Sequence, residues 1–312
     1  MTASLPSRPL WTGGPDVTFL GYGAMELRGG AEVHRRPRPL ARETAHEVLH
    51  TVLDEGITFV DTSVDYGLSE EIIGEAISSR RDEFILATKA GCPLEHQPAH
   101  PGGSLPHDYS ATNIRAGIEQ SLRRLKTEYV DLLQLHISPS PEVLEAERSI
   151  ETLLALRAEG KVRAIGISST LPHLPAHLVS GVFQAFQLPY SPFERALEHY
   201  LAEASAQGAG VIVRGGVAQG LTRPKPVDGG EASPADVDLR DLTDGDTVPG
   251  LLLRLQLANP SITTVIAGSA NPDHIRTNAA AVRRGPLPAD VAAEAWRRIE
   301  AAGFVAAEPV AL

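Results

Sequence analysis

Four side chains that can hold or transfer protons lie where buried segments of the chain are predicted to end. Asp61, Lys89 and His136 each follow a short apolar run of the kind that forms a buried strand. Tyr66 lies five residues beyond Asp61, in the loop after that strand. Any one of them alone is better explained as a helix cap, a packed ring or a surface charge. Together, at the same ends of neighbouring strands, they favour an active site, because burying ionisable groups is costly unless they are paired or used.

The chemistry that these groups can perform is proton transfer to a carbonyl oxygen. A free tyrosine has a pKa of about 10, and an ammonium group beside it, here Lys89, is expected to lower the pKa of Tyr66. Asp61 would pair with Lys89 and offset its buried charge, and His136 would hydrogen-bond the reacting oxygen. Carbonyl reduction needs a proton at oxygen while hydride arrives at carbon. None of these side chains supplies hydride, so this reading requires a redox cofactor.

The elements that must position these groups alternate regularly between strands and helices. Eight short apolar runs are predicted as strands, at residues 17–20, 57–60, 84–88, 129–135, 162–167, 182–187, 211–213 and 263–266. Helical spacing lies between them, near residues 45–53, 69–79, 111–125, 141–160, 172–179, 192–207, 248–258, 271–283 and 288–302.

Such alternation predicts an α/β protein with a parallel sheet, and eight units match a closed (β/α)8 TIM barrel. We predict one domain over residues 1–312, with an N-terminal β-hairpin turning at residues 11–16 and a C-terminal helix. An open doubly wound sheet is the alternative, but no G-x-G-x-x-G follows the first strand. In a barrel the active site lies at the C-terminal strand ends, where Ser168, Gln187 and Arg214 join the four groups above.

Composition and charge exclude several classes of function. The formal net charge is −11 and no basic run of five residues occurs, which argues against nucleic acid as a partner. Cys92 is the only cysteine, so no intrachain disulfide forms and a cytoplasmic location is expected. The chain shows neither a secretory signal pattern nor an apolar run approaching 18 residues, so we predict no membrane span.

The loop between residues 91 and 109 is rich in potential metal ligands. It carries Cys92, His96, His100 and His107, but their spacing in a Pro/Gly-rich segment fits no regular ligand pattern. We therefore predict no metal site. This loop and the loops at residues 24–40 and 221–247 are expected to flank the mouth of the barrel.

The motifs at the strand ends resemble those of the aldo-keto reductase superfamily. The resemblance covers residues 17–284 and is carried by Asp61-Thr62-Ser63-x-x-Tyr66-Gly67-x-Ser69-Glu70, Thr88-Lys89 and Asp131-Leu132-x-x-x-His136. It implies a catalytic tetrad of Asp61, Tyr66, Lys89 and His136, with Tyr66 as the proton donor. It also implies a nicotinamide cofactor that lies extended over the barrel mouth.

The resemblance assigns a second set of residues to that cofactor. Ser168 and Gln187 would bind the carboxamide, although Ser169 replaces the usual asparagine, and Arg214 with Gly215 occupies the place of a stacking aromatic ring. The adenosine-phosphate clamp would comprise Gly268, Ser269, His274 and Asn278, with Gly268 and His274 where lysine and arginine are common. NADPH is the cofactor implied, with NADH as the alternative.

Three functions are weighed on these grounds. The leading hypothesis is a cytoplasmic NADPH-dependent reductase of a small aldehyde, ketone or keto-sugar. The second is a nicotinamide-binding regulatory or sensor subunit without turnover, which has no need of Tyr66. The third is a metal-dependent barrel hydrolase using Asp61 and His136, but no strand carries a clear H-x-H pair. The sequence makes no prediction of the substrate or of the oligomeric state.

Overall fold

Eight parallel strands close into a barrel in the computed structural model, which describes residues 3–29, 40–94, 107–217 and 233–307. His96, His100 and parts of the three loops predicted to flank the mouth lie outside these ranges. The barrel strands are β3 (Leu20–Gly23), β4 (Phe59–Asp61), β5 (Ile85–Ala90), β6 (Val130–Leu135), β7 (Val162–Ser168), β8 (Ala185–Pro189), β9 (Gly210–Arg214) and β10 (Thr264–Ala267). Each pairs in parallel with the next, and β10 pairs with both β9 and β3. The predicted (β/α)8 barrel is confirmed.

Helices connect successive strands. They are α1 (Arg42–Asp54), α2 (Ser69–Ala76), α3 (Ala111–Leu125), α4 (Pro141–Ala146), α5 (Ser149–Ala158), α6 (Leu174–Val179), α7 (Glu198–Ala206), α8 (Val248–Leu257), α9 (Pro272–Arg283) and α10 (Ala289–Ala301). The last of these is the predicted C-terminal helix. Among the described helices, none has both the length and the apolar character needed to cross a bilayer.

The predicted N-terminal hairpin is present and seals one end of the barrel. Its strands, β1 (Ser7–Pro9) and β2 (Asp16–Thr18), pair antiparallel. Leu10 and Val17 of the hairpin are fully buried against inward-facing residues of six barrel strands. The hairpin therefore covers the N-terminal ends of the strands and leaves the C-terminal ends as the mouth.

The prediction of one strand over residues 17–20 was wrong. The apolar run is shared between hairpin strand β2 and barrel strand β3, and the chain bends between them at Phe19. The Phe19 N–H donates to the Pro6 carbonyl, outside the barrel, over 2.8 Å. Because Val17, Phe19 and Leu20 are all apolar, the pattern carries no signal of this bend.

Two predicted helices were also too long. The helix predicted over residues 141–160 is divided into α4 and α5, because Arg148 between them adopts a left-handed conformation with φ 53°. The helix predicted from residue 192 begins only at Glu198, because Ser191 and Glu194 exchange backbone hydrogen bonds in a tight turn.

The alternation of side chains along the strands creates two layers inside the barrel. The lower layer is apolar and includes Phe59, Ala87, Leu132, Ala185 and Ile212. Two residues further along each strand the side chain points the same way. The positions so reached are polar, namely Asp61, Lys89, Gln134, Gln187 and Arg214. An apolar floor thus supports a polar layer that faces the mouth.

Candidate active site

Asp61 and Lys89 form a buried ion pair at the centre of the polar layer. Lys89 Nζ donates to Asp61 Oδ2 and to the Thr62 carbonyl, both over 2.7 Å. Burial opposes the ammonium charge, but the adjacent Asp61 carboxylate outweighs it and leaves the pKa of Lys89 above its ordinary value. Lys89 is therefore a fixed cation at the base of the mouth.

The second oxygen of Asp61 is held by two glutamine side chains. Gln134 Nε2 and Gln187 Nε2 donate to Asp61 Oδ1 over 2.9 and 2.8 Å. Sequence analysis did not single out Gln134, although its two-residue step from inward-facing Leu132 was a signal that could have found it. Gly166 makes room for Gln134, because a Cβ at position 166 would lie 3.1 Å from Gln134 Cγ.

Tyr66 lies directly above the ion pair. Lys89 Nζ is 4.7 Å from the centroid of its ring. Burial raises the pKa of Tyr66, the charge of Lys89 lowers it in part, and the net result is a pKa of about 12. The ammonium of Lys89 lowers this pKa as expected, but burial, which the sequence does not reveal, raises it by more. At neutral pH the phenol keeps its proton.

The loop that carries Tyr66 is anchored by the other residues of its motif. The Tyr66 carbonyl accepts from the Ser69 N–H over 2.9 Å. The Ser69 hydroxyl contacts Thr62 Oγ1 and donates to the Ala24 carbonyl, each over 2.9 Å. Buried Glu70 accepts from Thr88 Oγ1 over 2.7 Å. Ser69 is the first residue of α2, and its hydroxyl ties α2 to the residues that directly follow β3 and β4.

His136 completes the predicted tetrad. Its ring meets the Tyr66 ring edge to face, with centroids 6.2 Å apart. Burial lowers the pKa of His136 to about 3, against the partial opposing effect of Asp65, so the imidazole is neutral. Nδ1 faces Cys92 Sγ at 3.0 Å, which leaves Nε2 on the opposite side of the ring. All four tetrad residues are thus brought together, which the sequence could only infer.

The backbone after His136 is strained. Ile137 and Ser138 are consecutive non-glycine residues with positive φ, 62° and 45°. A β-branched residue rarely adopts this conformation, and such strain concentrates at functional sites. Tyr109 Oη donates to the His136 carbonyl over 2.5 Å, and the Ser138 N–H donates to the Ser168 carbonyl over 3.0 Å. These bonds hold His136 at the strand end.

The residues predicted to bind the carboxamide lie on adjacent strands. Ser168 of β7 is in register with Gln187 of β8. Ser169, which replaces the usual asparagine, is directed elsewhere, because its hydroxyl contacts His177 Nδ1 over 2.8 Å. Arg214 ends β9, close enough for its charge to lower the pKa of His136, and Gly215 follows with φ 79°.

The residues of the predicted phosphate clamp form a second group, at the end of β10. Ser269 Oγ lies 3.2 Å from His274 Nδ1, and the Ser269 carbonyl accepts from Tyr22 Oη over 2.9 Å. Asn278 is largely buried on α9. A Cβ at Gly268 would lie 2.8 Å from the Gly23 carbonyl oxygen, so this backbone does not accept the lysine that is common at this position.

Arg276 is a further cation on α9, two residues beyond His274. Its guanidinium donates to Asp273 Oδ1 over 2.9 Å and to Thr51 Oγ1 of α1 over 3.4 Å. Asp273 lies one turn earlier on α9 and Thr51 lies on α1, so the guanidinium already has partners on both helices. The N-terminus of α9 has no N–H at Pro272, and the N–H groups of Asp273 and His274 already donate to Asn271. Among the described residues of the clamp, the side chains of Ser269 and His274 remain to bind a phosphate.

The sequence of this chain is similar to those of known oxidoreductases. The model of the aldo/keto reductase family matches residues 19–300. The uncharacterized oxidoreductase YqkF of Bacillus subtilis is 31% identical over 289 residues, covering 87% of this chain and 89% of that protein. The L-galactose dehydrogenase of Arabidopsis thaliana is 29% identical over 299 residues, covering 88% and 87%.

A solved structure is similar over nearly the whole chain. It is the holo form of the aldo-keto reductase AKR11C1 from Bacillus halodurans, with 31% identity and a TM-score of 0.79. The match covers 97% of this chain and 98% of that one. The similarity therefore extends over the whole chain and is not limited to the residues at the strand ends.

Proposed function

Because the chain belongs to the aldo/keto reductase family and is an NAD(P)H-dependent oxidoreductase, we propose that it reduces a small aldehyde or ketone to an alcohol with Tyr66 as the proton donor. The observation that carries this proposal is the buried Asp61–Lys89 pair with its ammonium 4.7 Å from the Tyr66 ring. A fixed cation beside a protonated phenol favours proton donation, because it stabilises the phenolate that forms.

Each side chain of the tetrad has a distinct part in the proposed reaction. Tyr66 donates its proton to the carbonyl oxygen, and Lys89 stabilises the phenolate that this leaves. Asp61 holds Lys89 in place and is itself fixed by the amide groups of Gln134 and Gln187. Neutral His136 orients the substrate oxygen through Nε2, because Nδ1 faces Cys92. A bound reduced nicotinamide supplies the hydride that these side chains lack.

The strand ends and α9 offer groups that fit such a cofactor. Gln187 has an amide oxygen for a carboxamide, and Ser269 with His274, at the start of α9, offers side-chain groups to a phosphate. A 2′-phosphate is held best by arginine or lysine, but the clamp has Gly268 and His274. We therefore propose that NADPH binds, with NADH bound within about tenfold of it, a difference of about 1.4 kcal/mol.

The substrate class and location follow from the same proposal. A keto-sugar or other polyhydroxy carbonyl compound is included, in line with the name of the L-galactose dehydrogenase that the chain resembles. The free, buried thiol of Cys92 suits the reducing environment of the cytoplasm, where we place the protein.

The variant Tyr66→Phe tests the proposed proton donor. Removing the hydroxyl is expected to lower kcat by about 10²- to 10⁴-fold, the usual contribution of a general acid. Fluorescence titration with NADPH and NADH should give dissociation constants near those of the parent protein. The same titrations measure the proposed weak discrimination between the two cofactors.

Tyr129→Phe is the matched control. It removes a tyrosine hydroxyl just before β6, at the end of the barrel away from the mouth, and should leave kcat unchanged. Unchanged turnover in Tyr66→Phe would refute the proposal. Cofactor binding without turnover across a panel of aldehydes, ketones and sugars would instead support the regulatory subunit.

A further inference from the structure

Four potential metal ligands from the connections that follow three neighbouring strands meet beside the proposed active site. They are Asp65, Cys92, His107 and His136, and one ligand atom of each lies within 4.8 Å of the others. Cys92 and His136 are buried, and Asp65 and His107 are partly buried. Asp65 follows β4, Cys92 and His107 follow β5, and His136 follows β6. Because folding brings these three connections together, no spacing in the sequence reveals the group, and no metal site was predicted.

We propose that this group is a binding site for a zinc-like divalent cation. Thiolate, imidazole and carboxylate are the ligands that zinc prefers, and four of them make a tetrahedral set. Zinc bonds these atoms at about 2.0–2.3 Å, so neighbouring ligands lie roughly 3.3–3.8 Å apart. His136 Nδ1 lies 3.0 Å from Cys92 Sγ and 3.7 Å from Asp65 Oδ2, and no two of the four ligand atoms are more than 4.8 Å apart. The first separation must open and the longest must close, each by roughly an ångström or less, to reach tetrahedral spacing.

The charges of the group match those of the cation. The Cys92 thiolate and the Asp65 carboxylate carry two negative charges, and the two imidazoles bind in their neutral form. The bound site is therefore neutral overall, which suits its burial. Binding releases the thiol proton to solvent, about one proton per cation.

Neighbouring side chains already orient the ligands. Ser63 Oγ donates to Asp65 Oδ1 over 2.5 Å, which leaves Oδ2 facing His136. The Tyr109 ring stacks on His107 with centroids 5.9 Å apart, and its hydroxyl donates to the His136 carbonyl. Such outer partners fix ligand orientation in metal sites.

The site shares His136 with the proposed reaction but does not depend on it. Coordination at Nδ1 leaves Nε2 of His136 as the hydrogen-bond donor of the ring. The cation and the carbonyl oxygen would therefore occupy opposite sides of one imidazole. Metal binding can be measured without substrate or cofactor, so its failure is distinguishable from failure of the proposed function.

Cobalt titration of the full chain, after removal of metal with a chelator, tests the site. Co²⁺ reports its ligands by colour, and a Cys92 thiolate should give a thiolate-to-cobalt absorption band in the near ultraviolet. Intense visible bands should mark four-coordinate geometry. Both should saturate at one cobalt per chain, with release of about one proton, and both should disappear on addition of Zn²⁺.

Variants identify the ligands. Cys92→Ser should abolish the near-ultraviolet band. Asp65→Asn should weaken cobalt binding by more than about 10- to 100-fold, the usual effect of losing only an outer partner. His50→Gln is the matched control, because His50 is an exposed histidine on α1 and should not affect binding.

Each result decides the proposal. Circular dichroism melts of the metal-free variants establish that they are folded, and Asp65→Asn serves as the test if Cys92→Ser does not fold. Cobalt binding without the near-ultraviolet band in the parent protein would overturn the proposal. So would unchanged binding in Asp65→Asn, or equal weakening in the His50→Gln control.

Discussion

Asp61 Oδ1 accepts hydrogen bonds from two glutamines that differ only in their strand. Gln134 and Gln187 donate over nearly equal distances, 2.9 and 2.8 Å, and both are buried. The resemblance to the family assigns carboxamide binding to Gln187 and no role to Gln134. Comparing variants of these two glutamines therefore separates the proposed cofactor role of Gln187 from its hydrogen bond to Asp61.

Gln134→Met and Gln187→Met should have equal effects on stability but different effects on cofactor binding. Each removes one hydrogen bond to a buried carboxylate and should lower the free energy of unfolding by about 1.5–3 kcal/mol. Only Gln187→Met should weaken NADPH binding, by about tenfold for a lost hydrogen bond of about 1.4 kcal/mol. Denaturant unfolding and fluorescence titration measure the two effects. Equal cofactor affinity in both variants would contradict the assignment of Gln187.

At this scale the sequence predicted which residues meet but not how they interact. Asp61, Tyr66, Lys89 and His136 were predicted because each is ionisable and follows an apolar run. Two results depended on tertiary structure instead. The pKa of Tyr66 is set by how deeply the folded chain buries it, and the contacts of Cys92 join segments remote in sequence.

Among the elements, β5 and β6 are joined at their N-terminal ends by Asp131. This residue belongs to the motif that ends in His136, yet it faces outward, away from the mouth. Its carboxylate accepts from Arg81 over 2.5 Å, from the Leu86 N–H over 2.9 Å and from Arg163 over 3.0 Å. The motif thus combines a residue that fixes strand pairing with one that serves the site.

Asp131→Asn should destabilise the fold without acting on the site chemistry. It removes the charge that compensates Arg81, whose side chain is only 12% exposed. Breaking a buried pair in this way costs about 3–5 kcal/mol, and we expect about 3 because Arg81 retains some solvent. Denaturant unfolding measures the loss, and kcat should remain near that of the parent protein.

Asp54→Asn supplies the comparison for Asp131. Asp54 pairs with Arg80 over 2.7 Å, but its side chain is 65% exposed. Exposed pairs contribute less than about 1 kcal/mol, so this variant should lose little stability. Equal losses of unfolding free energy in the two variants would show that burial of the Asp131 ion pair does not increase its contribution to stability.

Element boundaries were predicted less well than element types, for physical reasons visible at particular residues. The run at residues 17–20 is buried on both sides of the bend at Phe19, because the hairpin packs on one part and the barrel encloses the other. The break between α4 and α5 lies at Arg148, a residue type that carries no turn signal. In both places tertiary contacts decide where the element ends.

For the whole molecule, the strongest signal in the sequence was the repetition of strand and helix. Short apolar runs separated by helical patterns admit few arrangements, because parallel strands need long crossover connections. Closure of the barrel is then determined by pairing of β10 with β3. The N-terminal hairpin was predicted, but its position over the lower end was not, since its packing on the barrel floor depends on the closed sheet.

Stability of the molecule should fall in mild acid, and buried His177 is one identifiable cause. Its Nε2 faces the Pro139 carbonyl over 2.8 Å, so Nε2 carries the hydrogen and Nδ1 accepts from Ser169. A proton on Nδ1 would break this arrangement. Burial lowers the pKa of His177 from 6.5 to about 4, against the opposing effect of its bond to Pro139.

The folded chain therefore binds the His177 proton less readily than the unfolded chain does. The resulting stability is complete above pH 6.5 and is lost as the pH falls to about 4. A shift of this size corresponds to about 3 kcal/mol.

In His177→Gln, which cannot titrate, the free energy of unfolding should fall by about 3 kcal/mol less than in the parent protein between pH 7 and 4. Denaturant unfolding across this range measures the difference, and the exposed His50→Gln should reproduce the parent curve. Parallel curves for the parent protein and His177→Gln would show that His177 titrates alike in the folded and unfolded chains.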